Sequence, residues 1–89
     1  MRLMMKVAIP AVAENPVVGD PKFNEKLQAL YIELGAQKIY SRMVEGRRFD
    51  YAIFDIQDPS RIFAIAKPVS VWLGVRPEFM PDTITRSAG

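Results

Sequence analysis

Residues 37–56 read Gln-Lys-Ile-Tyr-Ser-Arg-Met-Val-Glu-Gly-Arg-Arg-Phe-Asp-Tyr-Ala-Ile-Phe-Asp-Ile, and no other stretch constrains the fold as strongly. Two runs rich in β-branched and aromatic residues, 37–44 and 47–56, flank the pair Glu45-Gly46. Glycine readily takes the positive φ that a two-residue hairpin turn requires. The stretch therefore predicts two antiparallel strands joined by a tight turn at Glu45-Gly46.

A two-residue turn also predicts which residues lie opposite each other, because pairing is counted outward from the turn. On one face of the hairpin the expected pairs are Val44–Arg47, Arg42–Phe49, Tyr40–Tyr51 and Lys38–Ile53. On the other face they are Met43–Arg48, Ser41–Asp50 and Ile39–Ala52. The second face continues as Ala52, Phe54 and Ile56, an apolar row that suits packing against helices.

The chain before the hairpin predicts a strand, a loop and a helix. Residues 3–9 alternate in the manner of a β-strand, and Pro10 ends it. Residues 11–19 have no periodicity and form a loop. Asp20-Pro21 is typical of a helix start, with an acceptor at the N-cap and proline at the first position. Gly35 closes that helix, whose apolar stripe consists of Phe23, Leu27, Leu30, Tyr31 and Leu34.

The chain after the hairpin predicts a second helix and a last strand. Asp58-Pro59 repeats the helix-start pair, Gly74 ends the helix, and Pro68 is expected to kink or split it. The expected buried stripe is Ile62, Phe63, Ile65, Ala66, Val69 and Leu73. Residues 75–80 form the last strand. Pro77 within it cannot donate a ladder hydrogen bond, which favours an edge position.

The order β-α-β-β-α-β is that of the ferredoxin-like fold, an α+β architecture. Right-handed crossovers place both helices on one face of a four-stranded antiparallel sheet of order 4-1-3-2. Residues 1–81 are expected to form this single domain, and residues 82–89 a polar C-terminal tail.

Composition excludes several kinds of chemistry. The chain of 89 residues contains neither cysteine nor histidine, which excludes disulfides, thiolate nucleophiles, Ser-His-Asp triads, histidine-ligated haem and ordinary zinc sites. We expect no cofactor. The net charge is only +2, without a polybasic cluster. Lys6 and Pro10 interrupt the N-terminal apolar run, which disfavours a signal peptide, and no apolar run is long enough to span a membrane. We expect a cytoplasmic protein.

The sheet face that points away from the helices is called the open face here. It is expected to carry Met4, Lys6, Ala8, Lys38, Tyr40, Arg42, Val44, Phe49, Tyr51 and Ile53, with Arg76, Glu78 and Met80 from the last strand. This mixture, together with a hydrophobic fraction of 49%, favours a homodimer through the open face. A partly solvated face with ordinary cross-strand pairs is the alternative.

A small-molecule site between two such faces is a further hypothesis. Lys6 and Arg42 would meet the negative end of a ligand, because cations on an apolar face are costly to bury without a counter-charge. Tyr40, Phe49 and Tyr51 would form its wall. Glu78 could instead neutralise one cation internally. If a ligand binds between the sheets, the long apolar loop 11–19 is expected to be the lid over one end of the cavity.

Two other classes of function compete. Arg47, Phe49, Tyr51 and Phe54 resemble the β3 signature of the RNA recognition motif, which has the same fold. Arg48 and Asp50 replace its small residues, and residues 3–8 lack the matching aromatic, so nucleic acid is disfavoured. Cofactor-independent catalysis is the other alternative. Asp58 is explained as a helix cap, and Asp50 and Glu78 have no partner that the sequence identifies, so no catalytic residue is predicted.

Residues 2–10, 54–68 and 78–81 resemble a group of small bacterial proteins of unknown function. The resemblance implies a dimeric α/β-barrel arrangement, in which two ferredoxin-like sheets face each other. The wider superfamily includes cofactor-free monooxygenases, haem enzymes, isomerases and ligand sensors. A haem enzyme would need an iron ligand, and the chain has no histidine. The resembled group carries no catalytic motif that can be transferred to this chain.

Overall fold

A computed structural model describes residues 1–82 of the chain. In order, its elements are β1 (Arg2–Ala8), a short 3₁₀ helix (Pro16–Gly19), α1 (Phe23–Glu33), β2 (Lys38–Val44), β3 (Arg47–Asp55), α2 (Ser60–Leu73) and β4 (Glu78–Pro81). The strands form one antiparallel sheet of order β2-β3-β1-β4, which is 4-1-3-2 read from the other edge. The predicted α+β ferredoxin-like fold is confirmed.

The hairpin between β2 and β3 has the predicted turn and register. Glu45 and Gly46 both have positive φ, 52° and 78°, the combination that matches a type I′ turn to the twist of the strands. Tyr40 lies opposite Tyr51, Arg42 opposite Phe49, and the other predicted pairs agree. Because the turn has two residues, the face assignment made from the sequence is confirmed.

The hydrophobic core lies between the two helices and one face of the sheet. Helix α1 buries Phe23, Leu27 and Tyr31, and helix α2 buries Ile65, Val69 and Leu73. The sheet contributes alternate residues, as the period of two requires, namely Leu3, Met5, Val7, Ala52 and Phe54.

One expectation for helix α2, the burial of Phe63, is wrong. Phe63 is 71% exposed and lies outside the core, because it follows the partly buried Ile62 by one residue and successive helical residues point about 100° apart. Pro68 does not split the helix, which runs unbroken over Ser60–Leu73. Ala64, whose carbonyl loses its usual donor at Pro68, is exposed, so water can satisfy that carbonyl.

Both helices begin one or two residues later than the predicted start. The Asp20 carboxylate accepts the backbone N–H of Lys22 at 2.9 Å, and its carbonyl accepts that of Phe23 at 2.8 Å. Asp58 similarly accepts the N–H of Ser60 at 3.0 Å. The two aspartates thus stabilise the turns that lead into the helices. A hydrogen bond from Lys26 to Asp20, with that from Lys22, lowers the pKa of the Asp20 carboxyl.

The last strand is shorter than predicted and lies at the expected edge of the sheet. Pro77 immediately precedes it, so the missing N–H falls outside the ladder. Arg76 also lies before the strand and does not join the open face, contrary to the prediction. Asp82 is buried, and its carboxylate lies 3.4 Å from Nε of Arg2. The rest of the predicted tail lies outside the described residues. Neither helix within residues 1–82 is long and apolar enough to cross a membrane.

Candidate functional site on the open face

The structure brings all of the predicted site residues together on the open face. Two neighbouring rows run across the strands, perpendicular to them. The first row is Glu78 on β4, Lys6 on β1, Tyr51 on β3 and Tyr40 on β2. The second row is Ala8 on β1, Phe49 on β3 and Arg42 on β2. The sheet alone therefore positions these side chains, without help from any loop.

The two tyrosines cover part of the open face. Their rings stack with centroids 5.0 Å apart and planes 13° from parallel. The Tyr40 hydroxyl donates to the sulfur of Met4 at 3.6 Å. Since β3 lies between β2 and β1, the Tyr40 side chain crosses β3 to reach Met4. Met4 and Ile53 are accordingly only 3% and 0% exposed. This half of the open face is covered within the chain itself.

The half nearer the hairpin remains accessible, and it is cationic. The Nζ atom of Lys6 lies 4.9 Å from the centre of the Phe49 ring, a cation–π contact. Arg42 is exposed on the other side of Phe49. Adjacent strands lie about 4.8 Å apart and each residue rises about 3.4 Å. Lys6 and Arg42 are two strands apart and offset by two residues, so their backbones are separated by roughly 12 Å. Both side chains are long enough to converge over the ring.

Glu78 does not neutralise either cation. It lies beside Lys6 in the strand register, but neither Lys6 nor Arg42 forms an ion pair with a carboxylate of residues 1–82. Lys38 and Arg47 add two further exposed cations to the same face. The face therefore carries an excess of positive charge beside aromatic rings.

Asp50, for which the sequence identified no partner, lies in a buried polar cluster on the opposite, helix-covered face of the sheet. The Asp50 carboxylate accepts hydrogen bonds from Tyr31 at 2.9 Å, Ser41 at 2.7 Å and Nε of Arg48 at 2.9 Å. Arg48 also donates to the side chain of Asn24 on α1. The predicted register already contained the signal, because it placed Asp50 on the helix-covered face opposite Ser41 and on the same side as Arg48.

This cluster is a structural connection between α1 and the sheet. Burial, and then the negative charge of Asp50, raise the pKa of Tyr31 well above its usual range. Every buried side-chain nitrogen and oxygen within residues 1–82 has a hydrogen-bond partner. No buried polar atom of the cluster is therefore left without a partner, and its role in the fold is to connect α1 to the sheet.

The residues that resemble the RNA recognition motif divide between the two faces. Phe49 and Tyr51 lie on the open face, whereas Phe54 is 2% exposed in the core and cannot stack on a base. Arg48 and Asp50, which replace the small residues of that motif, lie on the helix-covered face and do not obstruct the open face. The β1 residues of that face, Met4, Lys6 and Ala8, include no aromatic ring.

The loop over residues 11–19 is not placed as a lid on the open face. Val17 and Val18 pack against the core. The Asn15 amide donates to the carbonyls of Trp72 and Leu73 at 3.2 Å and 3.0 Å. These contacts hold the loop beside α2, on the side of the sheet opposite Lys6. Within residues 1–82 no group of three acidic side chains could hold a metal ion.

Comparison of the chain with known protein families, with curated proteins and with solved structures gives no match. The function must therefore be inferred from the chemistry of the open face.

Proposed function

We propose that this chain forms a homodimer through the open face and binds a small anionic molecule with an apolar or aromatic part between the two sheets. The observation that carries the proposal is the arrangement of Lys6 and Arg42 on either side of Phe49, with no ion pair to a carboxylate of residues 1–82.

The side chains of this arrangement match the two parts of such a ligand. Arginine binds carboxylate or phosphate with two parallel hydrogen bonds, whereas lysine supplies a compact charge. Phe49 and the stacked pair of Tyr40 and Tyr51 offer flat apolar surfaces for a ring or chain. The face thus provides recognition of charge and shape, without a paired nucleophile and base.

Dimerisation would make the binding of an anion more favourable, because it would bury additional cations. A two-fold interface brings two copies of each residue together, so Lys6 and Arg42 would contribute four cations to one enclosed space. Removing these charges from water costs several kcal/mol for each ion unless an opposite charge compensates. The exposed Val44, with 45% of its surface accessible, and the half-buried Phe49 supply apolar area for the contact.

The ligand is tested by thermal shift with phenyl phosphate, benzoate and the neutral analogue benzamide. Phenyl phosphate is expected to raise the melting temperature in proportion to the logarithm of its concentration once it exceeds Kd. Arg42→Met should require about tenfold more ligand for the same shift, equivalent to about 1.4 kcal/mol. Lys38→Met is the matched control, because Lys38 lies on the same face beside the covered Ile53. An equal shift in Arg42→Met, or no shift with either anion, would contradict the proposal.

Single-stranded nucleic acid is the second candidate, since the accessible half of the open face combines cations with the rings of Phe49 and Tyr51. Base stacking on aromatic side chains and a cationic surface are the usual means of such binding. Fluorescence anisotropy with a labelled oligouridine separates the two candidates. Binding to the monomer that weakens steeply with salt would favour nucleic acid.

A further inference from the structure

Helix α2 presents a second apolar surface, on the side of the molecule opposite the open face. Phe63 and Val71 are 71% and 74% exposed. Spaced eight residues apart, they lie about 12 Å from each other along the helix axis. Both line a groove of about 220 Å³ between α2 and the segment that leads into β4, where Pro77 forms part of the opposite wall. This region is called the α2 groove.

The α2 groove is bordered by positive charge. Lys67 lies between Phe63 and Val71 on the helix, with its Nζ 6.0 Å from the Phe63 ring centre, and Arg76 lines the opposite wall. Residues 60–77 contain three basic side chains, these two and Arg61, and no acidic one. None of the three forms an ion pair with a carboxylate of residues 1–82.

We infer that the α2 groove binds an acidic segment of a partner protein that also carries apolar side chains. Exposed large apolar residues bordered by polar ones are characteristic of interaction sites, and like-signed charge along the border selects a partner of opposite charge. The apolar side chains of the partner would contact Phe63 and Val71, while its carboxylates would meet Lys67 and Arg76. Phe63 and Val71 lie about two helical turns apart, a spacing that suits contact with a short amphipathic helix lying along α2.

This site is separate from the proposed ligand site, because α2 and the open face lie on opposite sides of the sheet. It also differs from the groove between the two helices, which Lys26, Leu30, Pro68 and Trp72 line. A variant of the α2 groove can therefore fail to bind a peptide while the open face keeps its ligand and its dimer contact.

Titration of the ¹⁵N-labelled chain by NMR tests the inference with two synthetic peptides. One carries glutamate and leucine at helical spacing, and the other has lysine in place of every glutamate. The acidic peptide is expected to shift the amide signals of residues 60–77 and to leave those of β2 unchanged. Lys67→Glu/Arg76→Glu should weaken its binding at least about tenfold and should instead bind the basic peptide.

Two single variants separate the apolar contribution to peptide binding from non-specific binding. Phe63→Ser is expected to weaken the acidic peptide about tenfold. Ile32→Ser, which removes a side chain 64% exposed on α1, should leave binding unchanged. The inference would be overturned by equal binding of both peptides, by unchanged affinity in the charge-reversed variant, or by shifts that occur only with phosphatidylglycerol vesicles. Neither substituted side chain is buried, so retained signal dispersion will verify folding in each variant.

Discussion

Arg48 and Asp50 lie two residues apart on β3 and form an ion pair on the helix-covered face, with Nε 2.9 Å from Oδ1. The Asp50 side chain has no exposed surface, and that of Arg48 is 26% exposed. A carboxylate at this depth is compatible with folding only because Arg48, Tyr31 and Ser41 all donate to it.

Replacing Arg48 should therefore destabilise the folded protein. Arg48→Met is expected to lower the free energy of unfolding by about 2–4 kcal/mol, because Asp50 would remain buried without its counter-charge. Arg47→Met is the matched control, since Arg47 is exposed and forms no ion pair with residues 1–82. It should change stability by less than about 0.5 kcal/mol. Urea unfolding measures both, and equal effects of the two substitutions would show that the cluster contributes no specific stability.

The raised pKa of Tyr31 predicts a loss of stability in alkaline solution. In the unfolded chain this hydroxyl loses its proton near pH 10, whereas burial and the Asp50 charge keep it protonated in the fold to higher pH. The contribution of Tyr31 is thus complete below about pH 10 and decreases as the pH rises above that value.

Tyr31→Phe isolates this effect. At neutral pH the substitution should cost about 1–3 kcal/mol through the lost hydrogen bond to a charged group. The difference between wild type and variant should then shrink above pH 10 by up to about 1.4 kcal/mol for each pH unit. Tyr40→Phe leaves the cluster intact and should keep the wild-type alkaline profile. A difference that stays constant from pH 7 to strongly alkaline solution would argue against a buried, protonated Tyr31.

Asn15 holds the loop before α1 against the end of α2. The Nδ2 group of its side chain donates to the carbonyls of Trp72 and Leu73 in the last turn of the helix. Its side-chain oxygen, Oδ1, accepts the backbone N–H of Val17 at 3.1 Å. Asn15→Asp preserves the acceptor but removes both donors and adds a negative charge to the negative end of the helix. We expect a loss of about 1–3 kcal/mol in urea unfolding.

The fluorescence of Trp72, the only tryptophan, should report the same change because its carbonyl is one of the two acceptors. Gln28→Glu, a similar amide-to-acid change at an exposed position on α1, serves as the control and should alter neither quantity. An unchanged stability in Asn15→Asp would mean that the loop is held by Val17 and Val18 alone.

The proposed dimer is tested through Tyr51. Static light scattering of the wild type at micromolar concentration should give twice the mass of one chain, with more than ~1,000 Å² of total surface buried. Tyr51→Asp places a charge on the open face and should shift the protein to monomer and lower its melting temperature. Phe63→Ser, on the opposite side of the molecule, should leave the dimer intact. A wild type of monomer mass would contradict the proposal.

The candidate site could be assembled from the sequence because it depends on counting along strands. The turn at Glu45-Gly46 set which side chains of β2 and β3 share a face. The alternation of β1 then placed Lys6 on that face, and the structure shows that it lies beside Tyr51. Contacts that depend on the reach of side chains could not be predicted in this way. Glu78 lies next to Lys6 without pairing with it, and Tyr40 extends over β3 to Met4.

The sequence by itself determined the element order, the hairpin register, the edge position of β4 and the face on which each strand residue lies. The register and the faces follow from local rules, a turn with positive φ and the two-residue period of a strand. The edge position of β4 follows from the strand order of the ferredoxin-like fold. The tertiary structure alone decided the hydrogen bond from Tyr31 to Asp50 and the covering of Met4 and Ile53. These features depend on the packing of long, rotatable side chains from distant elements. Spacing along the chain does not specify that packing.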